Sequence, residues 1–322
     1  MGEKMSQVET VRGPIDVSEL GATLMHEHIF VKSPELEENY PSPEWSEEGA
    51  LKFAHDGLQR LCSKGISTVV DLTVVGIGRS IPRIQKLAAT VDVNIVVATG
   101  YYTAKDLPPY FELHGPGRRI DIPEPLETMF LRDIRDGIAD TGVKAAIIKV
   151  VTEAPGITPD VERVLRSAAR VQLETNVPIS THTNAEKQTG RLQQELFIKE
   201  GVDLERVIIG HSGDTTDIDY LKELIDNGST LGLDRFGMNS LLPEEQRIDT
   251  VIKLIELGYA DRITLSHDAS YFSVVNEISH RPPEWNHEGV SDRVLPSLRQ
   301  RGISEDVINQ IMVLNPARIL SR

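Results

Sequence analysis

Eight short runs rich in Val, Ile, Leu and Thr punctuate the chain: Ala22 to Met25, Ser67 to Leu72, Asn94 to Thr99, Lys144 to Val150, Pro178 to Thr181, Arg206 to Ile209, Thr230 to Leu233 and Arg262 to Ser266. Most are continuously apolar, the pattern of parallel strands covered on both faces. Segments with helical spacing lie between them. Thr158-Pro159-Asp160 opens one through Val161, Val164, Leu165 and Ala168, with a polar cap and a proline in the first turn. Another runs from Pro243 to about Leu257 and is stopped by Gly258. Strands alternating with helices, without a low-complexity linker, predict the α/β class: a single (β/α)8 TIM barrel spanning residues 1–322 as one domain. The structural rival is a doubly wound sheet. Gly76-Ile77-Gly78 follows the second run, but Ile81 stands where that fold's fingerprint needs a third glycine.

The residues at or just past the carboxyl ends of these runs form a chemical set. His26-Glu27-His28 closes the first run, and alternate strand residues share a side, so His26 and His28 can aim two imidazoles at one ion. Tyr102 lies just beyond the third run, Lys149 at the fourth, His182 at the fifth, His211 at the sixth, Arg235 at the seventh and Asp268 at the eighth. In a barrel all of them share one rim, the face where active sites are built. Four imidazoles and a carboxylate exceed the needs of one zinc ion but suit two metals about 3.5–4 Å apart sharing a water.

Lys149 belongs beside two dications only if neutral, and burial shifts a lysine that way. A neutral lysine can add carbon dioxide and become a carbamate able to bridge both ions; a buried strand lysine paired to a carboxylate is the other reading. Each remaining member has an ordinary role too: His182 and His211 as hydrogen-bonded core histidines, Asp268 as a cap, Arg235 as an ion-pair partner of Asp234 or another carboxylate. Joint placement at successive strand ends favours the metal reading. His55, His114, His267, His280 and His287 read as structural or solvated.

Two connections are long enough to be functional, Tyr101 to about Pro123 and Ala269 to about Glu288. Tyr271, Phe272, Val274, Val275 and Trp285 in the second could form an apolar groove or cover a dimer interface.

Charge narrows the partners. A formal net charge of -15 and a pI near 5.1 repel phosphate backbones and anionic lipid, so no nucleic acid and no membrane is expected. The single cysteine, Cys62, excludes an internal disulfide and any thiolate-only metal site. The start, Met-Gly-Glu-Lys-Met-Ser, lacks the apolar stretch of a secretory signal, so a soluble cytoplasmic protein is expected. Gly2 with Ser6 fits a loose myristoylation pattern, and Asn227-Gly228-Ser229 a glycosylation acceptor at an expected helix end; neither is adopted.

The segments Leu24-Met25-His26-Glu27-His28, Ile148-Lys149-Val150, Thr181-His182-Thr183, Ile209-Gly210-His211-Ser212-Gly213-Asp214 and Ser266-His267-Asp268 resemble the phosphotriesterase family of the amidohydrolase superfamily. The resemblance covers almost the whole chain. It implies a binuclear centre with His26, His28 and Asp268 on the more buried ion, His182 and His211 on the more exposed one, and carbamylated Lys149 plus hydroxide bridging them. Within the family, Gly232-Leu233-Asp234-Arg235-Phe236-Gly237 and Thr99-Gly100-Tyr101-Tyr102 look like the phosphotriesterase-like lactonases, and Lys149 argues against homology proteins with glutamate at this place. Ala104 departs from relatives with a second aromatic residue there, which bears on acyl-chain preference.

The expectation is a homodimeric enzyme that opens lactones, N-acyl-homoserine lactones foremost, with weak phosphotriesterase activity. A metal-bridging hydroxide attacks, Asp268 accepts its proton, and Tyr102 and Arg235 position the ring. Zinc, iron, cobalt and manganese all suit the ligands. The rivals are an enzyme acting mainly on phosphotriesters or other esters, and a metal-free barrel acting as a binding protein.

Overall fold

The computed structural model describes residues 6–275 and 278–321; Gly2 lies outside them. Eight parallel strands form the barrel: β1 (Ala22–Glu27), β2 (Ile66–Asp71), β3 (Asn94–Gly100), β4 (Ile147–Thr152), β5 (Ile179–Thr183), β6 (Val207–Ile209), β7 (Thr230–Leu233) and β8 (Ile263–Leu265). Each pairs with its neighbour in sequence order, as a (β/α)8 TIM barrel requires. Between β8 and β1 closure falls just past the strand ends, where Asp268 N donates to His26 O (3.0 Å) and His28 N to Ala269 O (2.8 Å).

Alternation sorts the strand residues into two cores. Val70, Val96, Ala98 and Ile147 fill the barrel interior, while Val69, Ile95, Val97 and Ile148 pack outward under the helices. The period places Lys149 on the same side as Ile147. Strict alternation from Met25, an interior residue, would aim Glu27 inward; the register irregularity between Leu24 and Glu27 coincides with His26 facing the interior instead.

All eight expected runs are strands. Four of them, β1, β3, β4 and β5, run past the expected ends, to Glu27, Gly100, Thr152 and Thr183, because rim residues are polar yet still paired. The fourth begins later than expected, at Ile147, since Ala145 N is drawn to Asp133 O (2.9 Å). The helix capped by Thr158 spans Pro159–Thr175, and the helix after Pro243 spans Glu244–Glu256. An N-terminal hairpin, Gln7–Thr10 with Gly13–Asp16, went unread: its strands are four residues each and the second opens on Gly and Pro. Val8 from it joins Leu20, Ile319 and Leu320 in the interior cluster.

Candidate metal centre

At the carboxyl rim the expected side chains meet. His26, His211 and Asp268 bring one ligand atom each within 4.8 Å of one another. Lys149 Nζ lies 2.9 Å from His26 Nε2, and His211 Nε2 lies 2.9 Å from His182 Nδ1. His28 Nε2 is 3.2 Å from Asp268 Oδ1. The six residues come from β1, β4, β5 and the segments just past β1, β6 and β8, and all but Asp268 are nearly inaccessible.

A carboxylate holds the far nitrogen of three of the four imidazoles. Asp234 uses both oxygens, Oδ2 on His26 Nδ1 (2.8 Å) and Oδ1 on His211 Nδ1 (2.7 Å). Glu153 Oε1 sits 2.6 Å from His182 Nε2. An ionised carboxylate can only accept, so the ring protons point at Asp234 and Glu153 and the lone pairs of His26 Nε2, His211 Nε2 and His182 Nδ1 face the cluster. His28 Nδ1 is 2.8 Å from the Thr73 hydroxyl.

Electrostatics agree. Burial, then Lys149, lowers His26 to about 4, and burial, then Arg235, drives His211 well below the usual histidine range. Burial lowers Lys149 to about 8. Burial alone would raise Asp234, but His211 and His26 hold it well below the ordinary carboxylate range; for Asp268, His211, His26 and Arg235 outweigh burial in the same way. The hydrogen bond from His182 brings Glu153 down to about 2. Neutral imidazoles with inward lone pairs, a buried lysine whose proton affinity is lowered and an anionic carboxylate gather nitrogen and oxygen donors around one small space, a set that a cation would satisfy. The donors therefore fit the metal pair that the resemblance implies.

Arg235 makes ion pairs with carboxylates other than Asp234: Nη1 meets Asp214 Oδ2 (2.7 Å) and Nε meets Asp268 Oδ2 (2.9 Å). Tyr102 packs edge-on against His182, ring centroids 5.7 Å apart, and burial followed by Asp268 raises its phenol to about 12. A cleft of about 200 Å³ opens over the cluster, walled by Val31, Ile77, Tyr102, Met238, Val275 and Trp285.

The expected apolar groove needs correction. Of its five residues only Val275 and Trp285 wall this cleft. Phe272 turns to a separate recess shared with Lys32 and Trp45, and Tyr271 stacks on His287 at 4.0 Å. The two-residue pairing of Phe272–Ser273 with Phe30–Val31 sets that direction, burying the bulky rings in place of exposing them. Val274 lines that recess and a neighbouring depression of about 550 Å³ shared with Met238, Val275, Arg281 and Trp285. His267 and His287 are buried; His55 Nδ1 meets Asp56 Oδ1 (3.1 Å) on the helix Glu47–Ser63, and His114 stacks on Tyr110.

Sequence reasoning missed Asp234 as an imidazole partner, along with Glu153, Thr73 and Asp214. Asp214 and Asp234 stood inside quoted motifs, three residues past His211 and one before Arg235 respectively; Glu153 and Thr73 carried no signal beyond lying just past strand ends.

Residues 6–320 match the phosphotriesterase family. A phosphotriesterase homology protein of Mycobacterium tuberculosis is 48% identical over 99% of this chain and 98% of its own. An aryldialkylphosphatase of Saccharolobus solfataricus is 38% identical over 95% of this chain and 97% of its own. The solved phosphotriesterase structure from Mycobacterium tuberculosis superposes with a TM-score of 0.95 at 47% identity, covering 98% of both chains. A structure from the engineering of organophosphate hydrolysis on a weak promiscuous lactonase template gives a TM-score of 0.86 at 32% identity, covering 98% of this chain and 99% of that one. The chain belongs to the phosphotriesterase family, a family of metal-dependent hydrolases.

Proposed function

We propose that this chain, as one catalytic domain, is a binuclear metal-dependent lactonase that opens N-acyl-homoserine lactones and hydrolyses phosphotriesters weakly. The observation that carries the metal reading is the inward lone pairs of three carboxylate-held imidazoles around Lys149 and Asp268. His26, His28 and Asp268 would hold one ion, His182 and His211 the other, and Lys149, as a carbamate, would serve both. When bound, zinc, iron, cobalt or manganese would polarise the ester carbonyl and make water a nucleophile near neutral pH.

The chain's own groups account for the rest. Asp268, kept anionic, accepts a proton from the attacking water and can return it to the leaving alkoxide as the ring carbon–oxygen bond breaks. Arg235 fixes that carboxylate and ties it to Asp214. Tyr102, held protonated, donates a hydrogen bond to the carbonyl or ring oxygen. The cleft of about 200 Å³ suits a small ring, and the adjoining depression of about 550 Å³ gives an acyl tail apolar contacts at Met238, Val275 and Trp285. The lactonase template among the solved neighbours supports the same substrate class.

The aryldialkylphosphatase relative favours a second reading, a phosphotriester as main substrate. Comparing kcat/KM on a panel of acyl-homoserine lactones and on paraoxon decides: larger values for lactones support the first reading, larger values for paraoxon the second. We assign a homodimer in the cytoplasm, using exposed apolar side chains such as Tyr110, Leu113, Ile120 and Ile122; sedimentation at the monomer mass would remove it. No helix of the described residues is long and apolar enough to cross a membrane.

A further inference from the structure

Asp268 sits in a backbone conformation that its surroundings must enforce. Its φ is +53°, in the left-handed region that an L residue occupies only at a cost. Three consecutive amides at this turn are held by β1. Asp268 N donates to His26 O (3.0 Å), while His267 N donates to Glu27 Oε1 (2.9 Å) and Ala269 N to Glu27 Oε2 (3.1 Å). The His267 ring adds a fourth bond. Its Nε2 accepts from Val290 N (2.7 Å), so the proton of the neutral ring is on Nδ1, which donates to Glu27 Oε1 (2.6 Å). Glu27 is fully buried, with the neutral rings of His267 and His287 beside its oxygens at 2.6 and 3.9 Å. Its two oxygens are thus spent on the amides flanking Asp268.

We propose that Glu27 is a positioning residue: a buried carboxylate clamp that grips the amides on either side of Asp268 and so sets the direction of the Asp268 carboxylate toward His26 and His28. Glu27 is not among the residues that wall the cleft, and its carboxyl group is turned to the amides of His267 and Ala269. Asp268 Oδ1 lies 3.5 Å from His26 Nε2 and 3.2 Å from His28 Nε2, and turning the 267–269 segment would change both separations. The effect on turnover rests on the hydrolase reading above; the clamp itself does not.

Glu27→Gln tests it. Glutamine keeps one acceptor oxygen and must point its NH2 at a donor, either Ala269 N–H or the His267 pair. In backbone hydrogen exchange on the metal-free protein, amides 267–269 should exchange about tenfold faster or more, with Ile147–Thr152 unchanged. In metal-loaded protein kcat should fall about 10- to 100-fold while KM stays within about threefold. Glu27→Asp, with two acceptor oxygens on a shorter arm, takes its place if the glutamine variant does not fold. Wild-type protection of 267–269 together with wild-type kcat would overturn the clamp. So would acceleration across the whole barrel in both variants, which would make Glu27 a support of the fold at large. If wild type hydrolyses no ester while the local acceleration is seen, the hydrolase reading fails and the clamp stands.

Discussion

Lys149 Nζ and His26 Nε2 lie 2.9 Å apart although 123 residues separate them along the chain. Lys149 Nζ can donate to the His26 Nε2 lone pair, and burial lowers the proton affinity of both, so two nitrogens that give up protons readily face the same small space. Such a contact makes sense as two corners of a cation site.

Lys149→Met should keep the fold, since it replaces a buried amine by an apolar chain of similar length. Bound metal should drop from about two ions per chain to one or fewer, and lactonase activity should fall by at least about 100-fold. Metal-free stability adds a pH signature. The folded pKa, about 8, lies below the ordinary lysine value of 10.5, so the unfolded chain binds more protons between them. Wild type should therefore gain stability relative to Lys149→Met as pH rises from about 8 towards 10.5, read by thermal melts of both proteins in chelator. A constant gap across that window would contradict a buried, depressed lysine.

Asp234→Asn tests whether one carboxylate serves both halves of the site. An amide accepts at one end only, so either His26 or His211 loses its partner and its fixed tautomer. Metal affinity, measured by competition with a chromophoric chelator, should weaken about 10- to 100-fold. Unchanged affinity would reduce Asp234 to a core residue.

Asp268→Asn should leave secondary structure intact and abolish turnover. The variant keeps the side chain's size and loses the charge shared with Arg235, which still has Asp214 as a partner. Circular dichroism should overlay wild type. Undiminished lactonase activity would remove Asp268 from proton transfer.

Gly100→Ala probes how closely β3 approaches β4 beside the site. Gly100 has φ +137°, and a Cβ there would stand 1.9 Å from the Lys149 carbonyl oxygen. The strands must separate or the backbone must flip, at a cost of about 2 kcal/mol or more. Tm should drop by about 3 °C or more. A melting curve superimposable on wild type would show that the strands have slack.

The barrel was legible because parallel strands are buried on both faces and so read as unbroken apolar runs, each ending where polarity begins. The same rule hid the true strand ends, since Thr152 and Thr183 are polar and still paired. The ligand residues were legible from their side-chain chemistry at those ends. The residues behind them were not: Glu153 and Asp234 act through distances no spacing encodes, and Glu27 was overshadowed by the histidines beside it. The groove was misread for a different reason. Tyr271 and Phe272 look like a ligand wall by composition, but pairing of Phe272 with Phe30 turns the rings into the core.

The most direct test is elemental metal analysis of the purified wild-type chain beside Lys149→Met, each assayed on an acyl-homoserine lactone before and after chelation. Close to two divalent ions per wild-type chain, one or none in the variant, and activity lost on chelation and regained with added metal are the expected results. A wild-type chain that hydrolyses the lactone at full rate with no stoichiometric metal would contradict the account.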